Sequence, residues 1–187
     1  MSQQAEPISI VELARRAVEL YVKERRVVSP PSPVVGQLAE RAGVFVSIKT
    51  RNGELRGCIG TIAPEQDNIA EETIHNAIAA ATQDPRFAPI QSQELADLVY
   101  SVDILSELEP VSDIGQLDPA VYGVVVEGEG GRRGLLLPRL KGIETAQQQV
   151  TIAMRKAKIP EGAPVKYFRF TVQRFDEKQL LDQRESA

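Results

Sequence analysis

The stretch GVFVSIKTRNGELRGCIGT, residues 43–61, predicts the hairpin around which the rest of the fold is arranged. Two runs that alternate apolar and polar residues flank the dipeptide Asn52-Gly53. Asn-Gly is the pair favoured by a two-residue type I′ turn, because both positions need positive φ angles. We therefore expect two antiparallel strands joined by a two-residue loop.

This loop fixes the expected register of the hairpin. The predicted pairs are Arg51 with Glu54, Lys49 with Arg56, Ser47 with Cys58 and Val46 with Ile59. Paired residues share a face of the sheet, so the predicted core face holds Val44, Val46, Ile48, Leu55 and Ile59, with Gly57 and Thr61. The opposite face then holds Phe45, Ser47, Lys49, Arg56 and Cys58. A slip of one residue would exchange the two faces.

Helical and extended patterns alternate along the remaining chain. We predict helices from Ser9 to Glu24, from Asn68 to about Gln83, from Gln93 to Leu98 and from Thr145 onward, strands at 100–106 and 165–175, and a hairpin at 122–137. The tail, residues 177–187, is expected to fray. Tight turns join most strands, which indicates an α+β fold with mainly antiparallel sheets and helices packed on a face, in two small lobes.

Composition excludes several functional classes. The chain has 187 residues, 42% of them hydrophobic, and a net charge of −4, with no apolar run near the roughly 20 residues that span a bilayer. The N-terminus lacks the basic and apolar regions of a secretion signal, so a cytoplasmic location is expected and no membrane association. One cysteine and one histidine form no zinc motif. The acidic balance makes nucleic-acid binding the weakest alternative.

Cys58 is the first candidate for chemistry. A lone cysteine is commonly a small buried hydrophobe, but Lys49 and Arg56 on the same predicted face would favour its reactive thiolate form. Gly57 and Gly60 would let a ligand or another backbone approach closely. The residues leave both interpretations open. A Cys-His dyad with His75 is a third, weaker alternative, because the helix that carries His75 is expected on the aliphatic face.

Two loops supply further candidates. In Asp84-Pro85-Arg86-Phe87, Arg86 could clamp an anion with Asp84 orienting it, or it could cap the helix end while Phe87 anchors the loop. In the glycine-rich turn at 128–134, a flexible hairpin connection is favoured over a phosphate loop, since no helix follows it directly. Arg133 remains a candidate ligand-binding residue at that turn.

The strings LRGCIGTIAP, DPRFAPI, SVDILSELEP, YGVVVEGEGGRRGLLLP and TAQQQVTIAMRKAKI occur in this order and resemble the AMMECR domain family. Prokaryotic members are often called AmmeMemoRadiSam system protein A, after an association with Memo-type and radical-SAM proteins. The resemblance covers about residues 13–175 and implies a single AMMECR-like domain over residues 1–187, in two α+β lobes with a cleft near RGCIG. The motif residues that carry over are Arg56, Gly57, Cys58, Ile59, Gly60, Arg86 and Phe87.

The resemblance implies no reaction and no cofactor. We expect an enzyme or enzyme component that holds a small anionic ligand near Arg56, Cys58 and Arg86, with Cys58 as nucleophile or redox thiol. The alternative is a non-catalytic interaction module whose partners, by family resemblance, would be Memo-type and radical-SAM proteins.

Overall fold

The polar residues predicted to cap the long helices do so in the structure, a computed structural model that describes residues 8–177. Ser9, Asn68 and Thr145 each accept a hydrogen bond from a backbone N–H of the first helical turn. Thr145 and Gln148 form a reciprocal capping box. The helices are α1 (Ile10–Glu24), α2 (Ile69–Thr82) and α3 (Ala146–Lys156). None of the helices in the described part of the chain has the length and apolar character needed to cross a membrane.

Eight strands form two four-stranded sheets. They are β1 (Val44–Thr50), β2 (Leu55–Gly60), β3 (Leu98–Leu105), β4 (Glu109–Val111), β5 (Gly123–Glu127), β6 (Arg133–Leu136), β7 (Lys166–Phe170) and β8 (Val172–Asp176). The strand order is β2-β1-β3-β8 in the first sheet and β4-β7-β5-β6 in the second. The hairpins β1–β2 and β5–β6 are antiparallel, as are β1–β3, β5–β7 and β4–β7. The predicted α+β class with mainly antiparallel sheets is confirmed.

Among the described residues, the first of two structural units comprises residues 8–104 and 174–177. In it α2 packs on β1 and β2, and α1 packs on α2. Its core lies between these helices and one face of the first sheet. The fully buried strand residues of that core include Val44, Val46, Ile48 and Val102. The alanine stripe of α2 is buried as its spacing predicts, which allows the helix to approach the sheet closely.

The second unit comprises residues 105–173 and contains the second sheet and α3. The predicted hairpin is present, and its turn at Glu129–Gly131 joins β5 to β6. Helix α3 packs on both of these strands. The core of this unit is formed by Leu117, Val124, Val126, Leu136, Val150, Ala153 and Ile159. The predicted cleft between two lobes stays a prediction.

The first hairpin differs from its predicted geometry at the loop. Thr50 donates its N–H to the carbonyl oxygen of Glu54 at 2.9 Å, so the loop has three residues, and only Gly53 takes a positive φ, of 91°. Lys49 pairs with Leu55 instead of Arg56. Arg56 is then the extra residue of a β-bulge, which shifts the register back by one. The predicted pairs of Ser47 with Cys58 and Val46 with Ile59 are therefore confirmed, because the two irregularities cancel.

Three other predictions need correction. Leu55 is 37% exposed and does not join the core face, because it lies beside the bulge. The single late strand at 165–175 is two strands, β7 and β8, which belong to different sheets and meet at Thr171. Glu177 does not fray, since both of its carboxylate oxygens accept hydrogen bonds from Arg15 at 2.8 Å. The rest of the predicted frayed tail, residues 178–187, lies outside the described residues.

Candidate functional site

The face of the first sheet that lies opposite α1 and α2 is lined by polar side chains, and we call it the polar face. Its central row follows from the register: Ser47 pairs with Cys58 on one side and with Ser101 on the other. On the same face, two residues before Ser47 in β1, Phe45 pairs with Asp103 of β3. Most of these residues are half-buried, and Asp103 is buried. The polar face therefore brings a thiol, two hydroxyls and a carboxylate together.

Cys58 is held through both its side chain and its backbone. Its half-buried Sγ accepts a hydrogen bond from the Ser47 hydroxyl at 3.2 Å. β2 is an edge strand, and the backbone N–H and carbonyl of Cys58 bind side chains instead of a neighbouring strand. The N–H donates to Asp84 Oδ2 at 2.9 Å, and the carbonyl oxygen accepts from Arg86 Nη2 at 3.4 Å.

Asp84 and Arg86 form an ion pair at the end of the turn that follows α2. Arg86 donates from Nε and Nη2 to the two oxygens of Asp84 at 2.9 and 2.7 Å. The Asp84 side chain is 2% exposed, whereas that of Arg86 is 55% exposed. The guanidinium of Arg86 lowers the pKa of Asp84 to about 2, helped by the N–H of Cys58. Phe87 is half-buried, with its ring centroid 5.3 Å from the Arg86 guanidinium carbon.

Arg56 is engaged elsewhere in the first unit. Its Nε and Nη2 donate to the carboxylate of Glu94 at 2.7 and 3.1 Å, and Nη1 donates to the carbonyl oxygen of Ala88 at 2.8 Å. This bidentate pair lowers the pKa of Glu94. Arg56 thus ties β2 to the segment after α2. Its predicted role in binding an anion stays a prediction.

The two glycines of the RGCIG string are explained by close packing. A Cβ on Gly57 would overlap the carbonyl oxygen of Ala80, so α2 can approach β2 only because no side chain is present there. On the polar face, a Cβ on Gly60 would overlap the ring of Phe45, which lies across the strand pair. Both positions need glycine for space, and neither has a positive φ angle.

Sequence reasoning missed a second buried ion pair, between Asp103 of β3 and Arg174 of β8. Arg174 donates from Nε and Nη2 to the two carboxylate oxygens, each at 2.7 Å. Asp103 raises the pKa of Arg174, and Cys58 is a smaller contributor to that increase. The partners are 71 residues apart, and Asp103 alternates with apolar residues as a solvent-facing strand residue would. The only signal in the sequence was its place on the same face as Ser101.

A buried carboxylate under the end of β2 was also missed. Glu72 of α2 is fully buried and accepts hydrogen bonds from Thr61 Oγ1 at 2.6 Å and from the backbone N–H groups of Glu65 and Gln66 at 2.8 and 2.7 Å. It holds the loop that leaves the RGCIG string. An acid in the first turn of a helix normally faces solvent near the helix dipole, so the sequence gave no reason to expect this burial.

The remaining candidates lie apart from these contacts. Lys49 is exposed, and within residues 8–177 neither its amine nor Arg56 contacts the thiol. His75 is exposed on α2, on the other side of the sheet, so it is not placed to act as a base for Cys58. Arg133 lies in the second unit and binds Glu127; its predicted role in ligand binding stays a prediction. Among the described residues, no three His, Cys, Asp or Glu side chains are grouped to hold a metal ion.

These features define a class of α+β protein: two mainly antiparallel four-stranded sheets, each with one or more helices packed on a face, and a lone cysteine on the polar face of the first. The chain belongs to the AMMECR1 family, whose profile matches residues 11–179. This confirms the family resemblance.

Relatives and one solved structure agree with this assignment. A protein of Thermotoga maritima is 51% identical over 167 residues, which cover 88% of this chain and 95% of the relative. A protein of Clostridium acetobutylicum is 42% identical over 94% of this chain but only 37% of its own length, so this chain spans little more than a third of that relative. The crystal structure of an uncharacterized protein from Pyrococcus horikoshii is similar, with a TM-score of 0.81, 32% identity, and coverage of 90% and 89% of the two chains.

Proposed function

We propose that this chain is a thiol-dependent enzyme, or a component of one, that holds a small anionic ligand against the polar face of its first sheet. Cys58 would act as the nucleophile or redox thiol. The observation that supports this most directly is the position of its sulfur, which is half-buried, oriented by the Ser47 hydroxyl and on the face that the helices leave open.

The surroundings of the thiol fit this role. The Ser47 hydroxyl can donate to negative charge on the sulfur, and the guanidinium of Arg86 lies beside the Cys58 backbone. In Arg86, Nε and Nη2 are engaged with Asp84, while Nη1 is available to a ligand. Asp84, Gly57 and Gly60 would support the site by fixing β2, and Phe87 by fixing the loop that carries Arg86.

Alkylation of Cys58 by iodoacetamide tests the proposal cleanly, because the chain has a single cysteine and any mass increase reports on it alone. At a fixed pH near neutrality, we expect the native chain to react at least as fast as the same chain unfolded in urea. Ser47→Ala should slow the native reaction about fivefold, as expected for loss of one modest hydrogen bond. Ser101→Ala is the matched control, since its hydroxyl makes no hydrogen bond to the sulfur. A native thiol that reacts a hundredfold more slowly than the unfolded chain would contradict the proposal.

A second candidate is a non-catalytic interaction module that works with Memo-type and radical-SAM proteins in the cytoplasm. One observation favours it: most polar groups of the RGCIG string and both of its glycines are already used to hold the fold. Purified Memo-type protein should then bind the wild-type chain and Cys58→Ala with the same affinity. If Cys58→Ala weakens that binding tenfold or more, the inert role of the cysteine is wrong. If the wild-type chain does not bind, the interaction module with a Memo-type partner is wrong.

A further inference from the structure

Arg174 is an arginine of the polar face whose direction is set by a buried carboxylate. It lies on β8, on the far side of β3 from Cys58. Its guanidinium donates from Nε and Nη2 to the two carboxylate oxygens of Asp103. The Asp103 side chain is 4% exposed, whereas that of Arg174 is 39% exposed. A buried anchor thus holds an arginine that still reaches solvent.

Stability alone is a poor explanation for this pair. A carboxylate in the middle of a strand loses its hydration on burial, and a buried ion pair is often no better for stability than apolar residues of similar size. What the pair does supply is orientation, because a guanidinium held by two hydrogen bonds keeps one plane and one direction. An arginine fixed in this way can meet a ligand without first losing side-chain freedom.

Arg174 also keeps more of its donors free than the other two arginines. A guanidinium has five N–H groups, and Asp103 takes one from Nε and one from Nη2, which leaves three. Arg86 gives the same two groups to Asp84 and directs Nη2 at the carbonyl of Cys58 as well. Arg56 uses all three of its nitrogens on Glu94 and Ala88. Only Arg174 retains a full edge, Nη1 with Nη2, for a bidentate oxyanion.

The register places the anchor of Arg174 and the thiol on the same face of the first sheet. Cys58, Ser47 and Ser101 lie side by side across three neighbouring strands, and Asp103 is two residues further along the same strand as Ser101. Arg174 reaches inward across the sheet to meet Asp103. Cys58 contributes to the raised pKa of both Arg174 and Arg86, so the two arginines are distinguished by their free N–H groups and not by this contribution. The carboxylates of Asp84, Asp103 and Asp176 offset the positive charges of Arg86 and Arg174, so these arginines exert little net attraction on a distant anion. Recognition of an anion here therefore depends on direct donation by the spare N–H groups.

We infer that Arg174, oriented by Asp103, is the residue that binds the negative charge of the ligand of Cys58. The ligand class is a small molecule that carries a carboxylate or a similar planar oxyanion next to its electrophilic atom. Arg174 is thereby a specificity residue and Asp103 its positioning residue. The inference rests on the proposed thiol chemistry of Cys58.

The experiment compares two alkylating probes that differ in charge. Iodoacetate is an anion and iodoacetamide is neutral, and in both cases a sulfur–carbon bond forms while the carbon–iodine bond breaks and iodide leaves. The ratio of the two rates cancels thiol exposure and ionisation, so it reports on recognition of the carboxylate. Dividing the ratio by that of the urea-unfolded chain removes the intrinsic difference between the probes.

We expect this normalised ratio to exceed 1 in the native chain and to fall about fivefold in Arg174→Gln, the effect of one charge contact at about 4 Å in water. Arg174→Lys keeps the charge but loses the paired N–H groups, so it should lower the ratio in part, and Asp103→Asn should lower it as well, with circular dichroism showing that each variant is folded. Arg86→Gln should change it less, because Arg86 keeps fewer free N–H groups. Arg51→Gln, which removes one exposed positive charge from the loop of the hairpin, is the matched control and should leave the ratio unchanged.

The outcomes separate the two proposals. A native thiol that neither probe modifies overturns the proposed function and this inference with it. A reactive thiol whose ratio stays near 1, or whose ratio falls as much in Arg86→Gln as in Arg174→Gln, overturns the inference about Arg174 and leaves the proposed function standing. If Arg174→Gln does not fold, a ratio in Arg174→Lys as high as in the wild-type chain also overturns it.

Discussion

Replacing Asp84 with asparagine removes the charge that joins the RGCIG strand to the loop after α2. In the wild-type chain the buried carboxylate accepts from Cys58 N–H, Arg86 Nε and Arg86 Nη2 at distances between 2.7 and 2.9 Å. An amide has only one oxygen and presents N–H groups where the second oxygen was. At least one of these donors is left without an acceptor, and the guanidinium loses its counter-charge.

The pKa of Asp84 gives the size of the effect. Arg86 lowers it from 3.8 to about 2. Each pKa unit is worth about 1.4 kcal/mol, so ionised Asp84 stabilises the fold by about 2 kcal/mol, and solvent screening of the half-exposed Arg86 makes this an upper value. Because the folded-state pKa is the lower one, this stability is present in full above the unfolded-state pKa. It is lost as the pH falls from about 4 to about 2, with roughly half remaining near pH 3.

Urea unfolding followed by circular dichroism measures this directly. Asp84→Asn should lower the free energy of unfolding by about 2 kcal/mol at pH 7, and the gap to the wild-type chain should halve near pH 3. Asp97→Asn is the matched control, because its pair with Arg51 is 3.9 Å long and exposed and should contribute little. A gap that is absent at pH 7, or that is unchanged at pH 3, would show that the Asp84–Arg86 pair does not act as described.

Two further substitutions test the packing around the RGCIG string. Gly57→Ala places a methyl group against the carbonyl oxygen of Ala80, so we expect the free energy of unfolding in urea to fall by about 3 kcal/mol. Leu55→Ala, at an exposed position of the same strand, is the control and should lower it by less than about 1 kcal/mol. Equal effects of the two substitutions would contradict the close approach of α2. Glu72→Gln replaces one of the two buried oxygens that accept from Thr61, Glu65 and Gln66 with an NH₂ group, which is a donor. This should lower the free energy of unfolding by about 3 kcal/mol and the melting temperature by roughly 6–12 °C in calorimetry. An unchanged melting temperature would show that this carboxylate is dispensable.

Local signals in the sequence were sufficient for the helices and for the hairpin. Ser9, Asn68 and Thr145 mark helix starts because a cap needs only an oxygen and a nearby N–H. The hairpin shows the limit of such signals. Asn52-Gly53 correctly predicts a turn, but the loop type and the bulge at Arg56 depend on contacts outside the hairpin, above all the pair of Arg56 with Glu94.

The candidate site was less predictable, because its contacts join distant parts of the chain. Cys58 could be placed on the right face from the register alone, but Asp84 binds its backbone from 26 residues away and Arg174 meets Asp103 across 71 residues. The strand at 165–175 shows the same difficulty. Alternation predicts extended chain there and says nothing about the change of sheet at Thr171, which is what brings Arg174 to the first sheet.

The contacts also decide which substitution can separate an enzyme from an interaction module. Arg56, Gly57 and Gly60 each hold the fold, so changing any of them would damage both functions alike. The thiol of Cys58 differs: its one hydrogen bond, from Ser47, is of the weak kind that sulfur accepts, and the backbone groups that bind Asp84 and Arg86 remain in Cys58→Ala. This variant should keep the fold and the binding surface while removing the sulfur. Any activity or bound ligand lost in Cys58→Ala therefore belongs to the chemistry of the thiol, because the architecture of the RGCIG string does not depend on it.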